Sequence, residues 1–342
     1  MRGVADFRSD TVTRPTPAML AAMATAELGD DVLGHDPTTL ALEQEAARVL
    51  GKDAALFMPS GTMCNLVAIQ THARPGDQVI AEQWAHTACF EGGGVGMLAG
   101  VLLRTLPSDR GLPDADLVAR WMLPRSEHTP GTSLVLTEQT HNFHGGALQP
   151  LEGLAAVARV AWDRGARVHM DGARLFNAVA ASGVEAARYA ACADSVSICL
   201  SKGLCAPVGS VLAGDEGFIE RARFHRKRLG GGMRQSGVIA AAGLVALRDM
   251  PQRLAADHER ARTLAEGVAA LAAYDVDPDA VDTNIVFVGT GRIAARSIVE
   301  AAARENVLLY ATGEHRIRFV THHDVDDDDV AQLLDLLRRT AD

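Results

Sequence analysis

The chain has 342 residues and 48% hydrophobic content, enough for a large domain with a smaller one attached. A formal net charge of −10 argues against a general nucleic-acid binder. No apolar run reaches the roughly 18–20 residues of a membrane span, and Met1 to Asp10 lack the apolar core of a signal peptide, so a cytoplasmic protein is expected.

The first predicted element is a helix over Thr39–Leu50, apolar at helical spacing and stopped by Gly51. A strand at Ala54–Met58 leads into the turn Pro59-Ser60-Gly61-Thr62-Met63 and an apolar helix. Strands at Gln78–Ala81, Gly100–Leu103 and Ser133–Thr137 come next. Pro150 and Gly165 bracket a helix over Leu151–Arg164. Further strands are predicted at Arg167–Met170, Ser195–Leu200 and Ser210–Ala213, and a buried apolar helix at Val238–Asp249. Short apolar runs alternating with helices predict an α/β fold with a mainly parallel, seven-stranded sheet.

Beyond about residue 252 the pattern changes. It predicts a helix (Gln252–Ala273), a strand (Asn284–Val288), a helix (Ile293–Glu305), two strands (Val307–Tyr310, Arg316–Val320) and a last helix (Asp327–Arg339). This is a small α+β unit. The expected division is an N-terminal segment 1–17, a large domain 18–251 and a small domain 252–342. Asp326 to Asp329 complement the dipole of the last helix on a solvated face. The five cysteines are odd in number and form no C-x-x-C pair, so reduced core residues are expected, with no disulfide framework and no metal site.

Several residues carry chemistry. Ser201-Lys202-Gly203 ends an apolar strand. A neutral lysine there is the nucleophile that forms a Schiff base with an aldehyde, although such a lysine can also snorkel to solvent. Asp171-Gly172-Ala173-Arg174 follows another strand. Asp171 there can keep a pyridinium nitrogen protonated, which pyridoxal phosphate chemistry requires, or can simply cap a helix beside a surface arginine. Gly61 and Thr62 at a helix N-terminus form a plausible phosphate cup, or a plain glycine turn. His86 follows a strand and can stack on a ring or handle protons, or be structural. The basic run Arg221 to Arg228 reads as a solvated helix face, apart from Lys227.

In this order the motifs resemble the L-threonine aldolase family, within the aspartate-aminotransferase-like, fold type I group of pyridoxal 5′-phosphate enzymes. The likeness is carried by Arg8-Ser9-Asp10-Thr11-Val12-Thr13, Gly29-Asp30-Asp31-Val32, Asp36-Pro37-Thr38 and Pro59–Met63. It continues through Glu138–Asn142, Asp171–Arg174, Ser201–Leu204, Gly230–Gln235 and Arg318–His322.

The resemblance implies cleavage of a β-hydroxy-α-amino acid (threonine, allo-threonine or phenylserine) into glycine and an aldehyde. It implies Lys202 as the covalent anchor of the cofactor, Asp171 at its ring nitrogen, His86 on its ring, Gly61 and Thr62 at its phosphate, and Ser60 and Ser201 as further cofactor-binding residues. Ser9, Arg174 and Arg318 would hold the substrate carboxylate, with Arg174 also near the cofactor. His86 and His128 are the candidate bases. Lys227 and Arg234 would reach a neighbouring subunit's cofactor phosphate, making the protein a homodimer or a dimer of dimers, the homotetramer. Leu33 stands where the family usually has a tyrosine near the substrate. With Phe143-His144 it implies a pocket tilted toward aromatic side chains. The alternatives are another fold type I lyase working by β-elimination and a non-catalytic pyridoxal-phosphate-binding protein.

Overall fold

The computed structural model describes residues 3–341. Its strands, in chain order, are β1 (Ala5–Asp6), β2 (Ala54–Met58), β3 (Gln78–Glu82), β4 (Leu102–Leu106), β5 (Thr132–Glu138) and β6 (Arg167–Asp171). They continue with β7 (Ser195–Cys199), β8 (Ser210–Gly214), β9 (Ile285–Gly289), β10 (Val307–Leu308), β11 (Tyr310–Gly313) and β12 (Arg316–Val320). The large sheet has seven strands in the order β2-β8-β7-β6-β5-β3-β4. Only β8 is reversed within it, running antiparallel to both β2 and β7.

The sheet is apolar on both faces because helices cover both. Alternate residues enter different cores: Ala55 and Phe57 pack with Leu42 and Leu50, whereas Leu56 and Met58 pack with Cys64, Val67 and Phe218. Strands β3, β7 and β8 are buried along their whole length, as strands covered on both faces are, and they are mostly apolar apart from Gln78, Glu82, Ser195, Ser197 and Ser210. Cys64, Cys192, Cys199 and Cys205 are buried as expected, whereas Cys89 is exposed and is not a core residue.

A second apolar cluster gathers Leu264, Ile298, Ile317, Phe319 and Leu337 from the C-terminal part of the chain. Ala5 and Phe7 from the other end join it. Strand β1 pairs in parallel with β10, and the Phe7 carbonyl accepts a hydrogen bond from Val320 N at 2.9 Å. A two-residue strand has no periodicity, so this closure of the chain on itself left no mark in the sequence.

The structure corrects three predicted elements. The strand placed at Gly100–Leu103 lies at Leu102–Leu106, because Gly100 turns the chain at φ +67°. The long helix from Gln252 to Ala273 is a short 3-10 turn, Pro251–Arg253, followed by a helix over Leu254–Ala269. The single strand over Val307–Tyr310 is two strands serving different partners, β10 with β1 and β11 with β12. Among the described residues no helix is long and apolar enough to cross a membrane.

Phe7 has no exposed surface, so Phe7→Ala should remove about 3–5 kcal/mol of stability through the cavity it leaves. Urea unfolding measures this. A loss under about 1 kcal/mol would show that the N-terminal strand does not hold the C-terminal core together.

Candidate active site

With β8 alone reversed, the carboxyl ends of β2, β3, β5, β6 and β7 open on one edge of the sheet, where open α/β sheets bind ligands. Each predicted chemical motif that follows one of these strands is therefore delivered to the same place.

After β2, the Ser60 hydroxyl caps the helix Gly61–His72, accepting from Met63 N at 3.2 Å. A Cβ on Gly61 would lie 2.7 Å from Cys199 Sγ, so glycine is required for this helix start to close on β7. Ser60 and Thr62 are exposed at the helix N-terminus, a setting that suits a phosphate.

After β3, the His86 backbone N–H donates to Glu138 Oε2 at 2.8 Å, and Nδ1 lies 2.9 Å from Glu91 Oε1. Burial works against a charged His86, yet Glu91 and Asp171 outweigh it and raise the pKa above the ordinary histidine value.

Asp171 ends β6 and is buried. Burial opposes its ionisation. The charges of His86 and Lys202 more than offset that, together with hydrogen bonds from Asn65 Nδ2 (2.7 Å) and Ala173 N (3.0 Å). Its pKa consequently lies below the usual carboxylate value. Asn65 is itself fixed from behind: its Oδ1 accepts from Ser197 Oγ at 2.9 Å and lies 3.1 Å from His169 Nε2. The same Asn65 amide donates to Glu91 at 2.8 Å, tying Asp171 and His86 into one network.

Ser201 and Lys202, both half-buried, form the turn after β7. The Lys202 carbonyl accepts from Thr13 Oγ1 at 2.8 Å and from Cys205 N at 2.8 Å, which locks the turn. The lysine lines a cavity of about 330 Å³ together with Ser9, His86, Arg174 and Arg318.

Arg174 is fully engaged on one side. Its Nε and Nη2 donate to the two oxygens of buried Asp10 at 2.8 and 2.7 Å, and Nη1 donates to Asn142 Oδ1 at 3.2 Å. Arg318 donates to the same Asn142 oxygen at 3.3 Å and to the Arg8 carbonyl at 3.0 Å, while its buried Nε has no partner. Burial and the neighbouring Arg174 push the Arg318 pKa down. Two guanidiniums thus meet on one amide oxygen, with Asp10 paired to only one of them. A carboxylate entering the cavity supplies the missing charge and fits the arginine fork. Ser9 lines the same cavity, its Oγ held by Thr11 N at 3.2 Å.

The donor set fits pyridoxal phosphate: a buried anion, a lysine, an imidazole and a helix N-terminus on one sheet edge. Phe90, Phe143 and Phe287 add an apolar wall, and Phe143 stacks on Trp84 with ring centroids 4.8 Å apart.

Four predicted site residues lie elsewhere in the protomer. His128 is exposed in the loop before β5, hence at the amino end of a strand whose seven residues span roughly 20 Å, and it does not line the cavity. Leu33 is 65% exposed and lines a different cavity with Lys227. Arg234 pairs with Asp30 at 2.9 Å beside that second region. Of the residues behind the expected aromatic preference, Leu33 does not line the Lys202 cavity within one protomer, whereas Phe143 does. The sequence reading missed Asn65, Glu91 and the pairing role of Asp10. Asn65 and Glu91 are single polar residues marked by their burial and partners and by no local motif, and Asp10 sits in a motif that does not reveal its partner 164 positions away.

The beta-eliminating lyase family matches residues 6–290 of this chain. The chain is 43% identical over 337 residues to low-specificity L-threonine aldolase 1 of Arabidopsis thaliana, covering 96% of this chain and 94% of the relative. The solved structure of Leishmania major threonine aldolase superposes with a TM-score of 0.85 at 22% identity, covering 99% of this chain and 100% of that one. An aspartate aminotransferase of Thermus thermophilus superposes with a TM-score of 0.72 at 16% identity, covering 98% and 99%. The fold is the aspartate-aminotransferase-like fold type I.

Asp10→Asn should cost about 3–5 kcal/mol, because it leaves the buried Arg174 charge without its partner. Chemical denaturation of the holoenzyme measures the loss. A variant as stable as the wild type would mean that Asp10 does not neutralise Arg174.

Proposed function

The chain belongs to the threonine aldolase family, and we infer that it splits L-β-hydroxy-α-amino acids into glycine and an aldehyde with pyridoxal 5′-phosphate as cofactor. The observation that carries this reading is the convergence of Lys202, Asp171 and His86 on one sheet edge, with Arg174 and Arg318 lining the cavity that Lys202 and His86 line.

Lys202 would hold the cofactor covalently through Nζ, Asp171 its ring nitrogen, and Ser60, Gly61, Thr62 and Ser201 its phosphate. When bound, pyridoxal phosphate supplies the electron sink that allows a carbon–carbon bond at Cα to break. The protein's part is orientation and proton handling. Arg174, Arg318 and Ser9 grip the substrate carboxylate, which fixes how the Cα–Cβ bond is presented. Asp171, kept ionised, holds positive charge at the far end of the ring. His86 takes the β-hydroxyl proton at Nε2, because Glu91 engages Nδ1 and the imidazole lines the cavity.

Lys227 and Arg234 are assigned to the cofactor phosphate of a neighbouring subunit, across a dimer or dimer-of-dimers interface. Leu33 and Phe224, each 65% exposed, lie beside Lys227 and give that interface apolar surface. Residues 18–251 are read as the cofactor domain and 252–342 as the small domain, on the strength of their separate apolar clusters. Phenylserine is the aromatic substrate that suits Phe90, Phe143 and Phe287. The cytoplasm, where pyridoxal phosphate enzymes of amino-acid metabolism meet their substrates, is the proposed location.

Products decide the reaction. Threonine or phenylserine should yield glycine and the aldehyde in equal amounts. Ammonia and a keto acid would instead identify a β-eliminating lyase. Lys202→Ala should lose nearly all turnover, and an active variant would defeat the assignment. If His86 is the base, it works when neutral, so kcat/KM rises as pH passes its raised pKa. Glu91→Gln removes one cause of that rise and should move the acid limb to lower pH. An unmoved limb would separate His86 from the titration.

A further inference from the structure

The proposed reaction leaves Arg316 without a role. Arg316 and Arg318 lie two residues apart on β12, so both side chains leave the same face of the strand, about 7 Å apart along it. Arg318 lines the reacting cavity. Arg316 lines a second cavity of about 480 Å³, and Phe143 and Phe287 line both. Register sets this up: on β9, Phe287 stands opposite Arg318, and Gly289, with no side chain, stands opposite Arg316.

Arg316 is half-buried, and burial lowers its pKa. Among the described residues no carboxylate is paired with it. Its guanidinium carbon instead lies 3.8 Å from the ring centre of Phe287 and 5.8 Å from that of Phe143. The other charged groups of this cavity are engaged or open to water. Arg110 pairs with Asp282 at 2.6 Å, and His144 lies 3.4 Å from Glu82. Asp109 and Asp277 are exposed, and Asp277 caps a short turn. A guanidinium laid on an aromatic ring keeps its N–H edge free, and that edge is what a carboxylate binds in bidentate fashion.

We propose that Arg316 anchors an aldehyde-side subsite, and that the enzyme accepts β-hydroxy-α-amino acids whose side chain ends in a carboxylate. The proposal rests on the reading that Arg174 and Arg318 hold the α-carboxylate. With that end fixed, a long side chain extends past Phe143 and Phe287 to reach Arg316. A ring makes the best spacer, since both walls are aromatic. 4-Carboxyphenylserine has this form. Its cleavage breaks the Cα–Cβ bond, removes the β-hydroxyl proton and returns a proton to Cα. Glycine and 4-carboxybenzaldehyde result, and no oxidant or co-reactant is needed.

The test compares kcat/KM for 4-carboxyphenylserine and phenylserine in the holoenzyme. The carboxylated substrate should be preferred by the wild type, and Arg316→Met should lower the ratio roughly tenfold. Arg316→Lys should restore part of it, because a cation remains without the fork. Arg316→Gln is the second neutral variant should the methionine variant fail to fold. A ratio unchanged by loss of the charge, with phenylserine still cleaved, overturns the subsite alone. Failure of the wild type to cleave either compound while it still cleaves threonine overturns the subsite alone, and failure on threonine as well overturns the aldolase reading with it.

Discussion

A carboxylate buried as deeply as Asp171 stays ionised only where positive charge and hydrogen bonds surround it. The rest of the site follows from that constraint. Lys202 and His86 supply charge, Asn65 and the Ala173 amide supply hydrogen bonds, and Ser197 and His169 hold Asn65 still. Such an arrangement is costly to build for stability alone. It is what a site needs to hold a protonated ring nitrogen in an apolar setting, and strand direction makes it possible. The parallel strands β6 and β7 pair Asp171 with Ser197, so the turn that carries Lys202 opens beside the aspartate.

The same logic of incomplete compensation governs the arginine pair. Asp10 satisfies most of Arg174 before any ligand arrives, so that arginine is rigid and pre-aimed. Arg318 is less satisfied, with a buried Nε that lacks a partner. Arg174 is held by Asp10 and Asn142 and Arg318 by Asn142 and the Arg8 carbonyl, so only one of the two charges has a carboxylate partner. Pre-organisation of this kind reduces the ordering that binding would otherwise require.

Much of this was legible in the sequence. The strand-end motifs at Ser60–Thr62, His86, Asp171–Arg174 and Lys202 announced both the chemistry and the edge on which it gathers, because a parallel sheet sends every carboxyl end the same way. The strands themselves were legible because burial on both faces leaves short, mostly apolar runs, of which β2 is unbroken. What escaped was long-range and local-signal-free. Asn65 sits in an apolar helix and matters only through residues from other strands. The two residues of β1 matter only through β10, some three hundred positions later. His128 and Leu33 were placed at the site by comparison with the family, His128 as a match and Leu33 as a departure, and within one protomer neither lines the cavity of Lys202.

The central claim is that one lysine and one aspartate grip a single cofactor. Borohydride reduction of the native holoenzyme, followed by peptide mapping, tests it most directly, since reduction freezes the cofactor onto the residue that holds it. The account predicts the label on the peptide containing Lys202. A label on Lys227 or Lys52, or on no lysine at all, would contradict it.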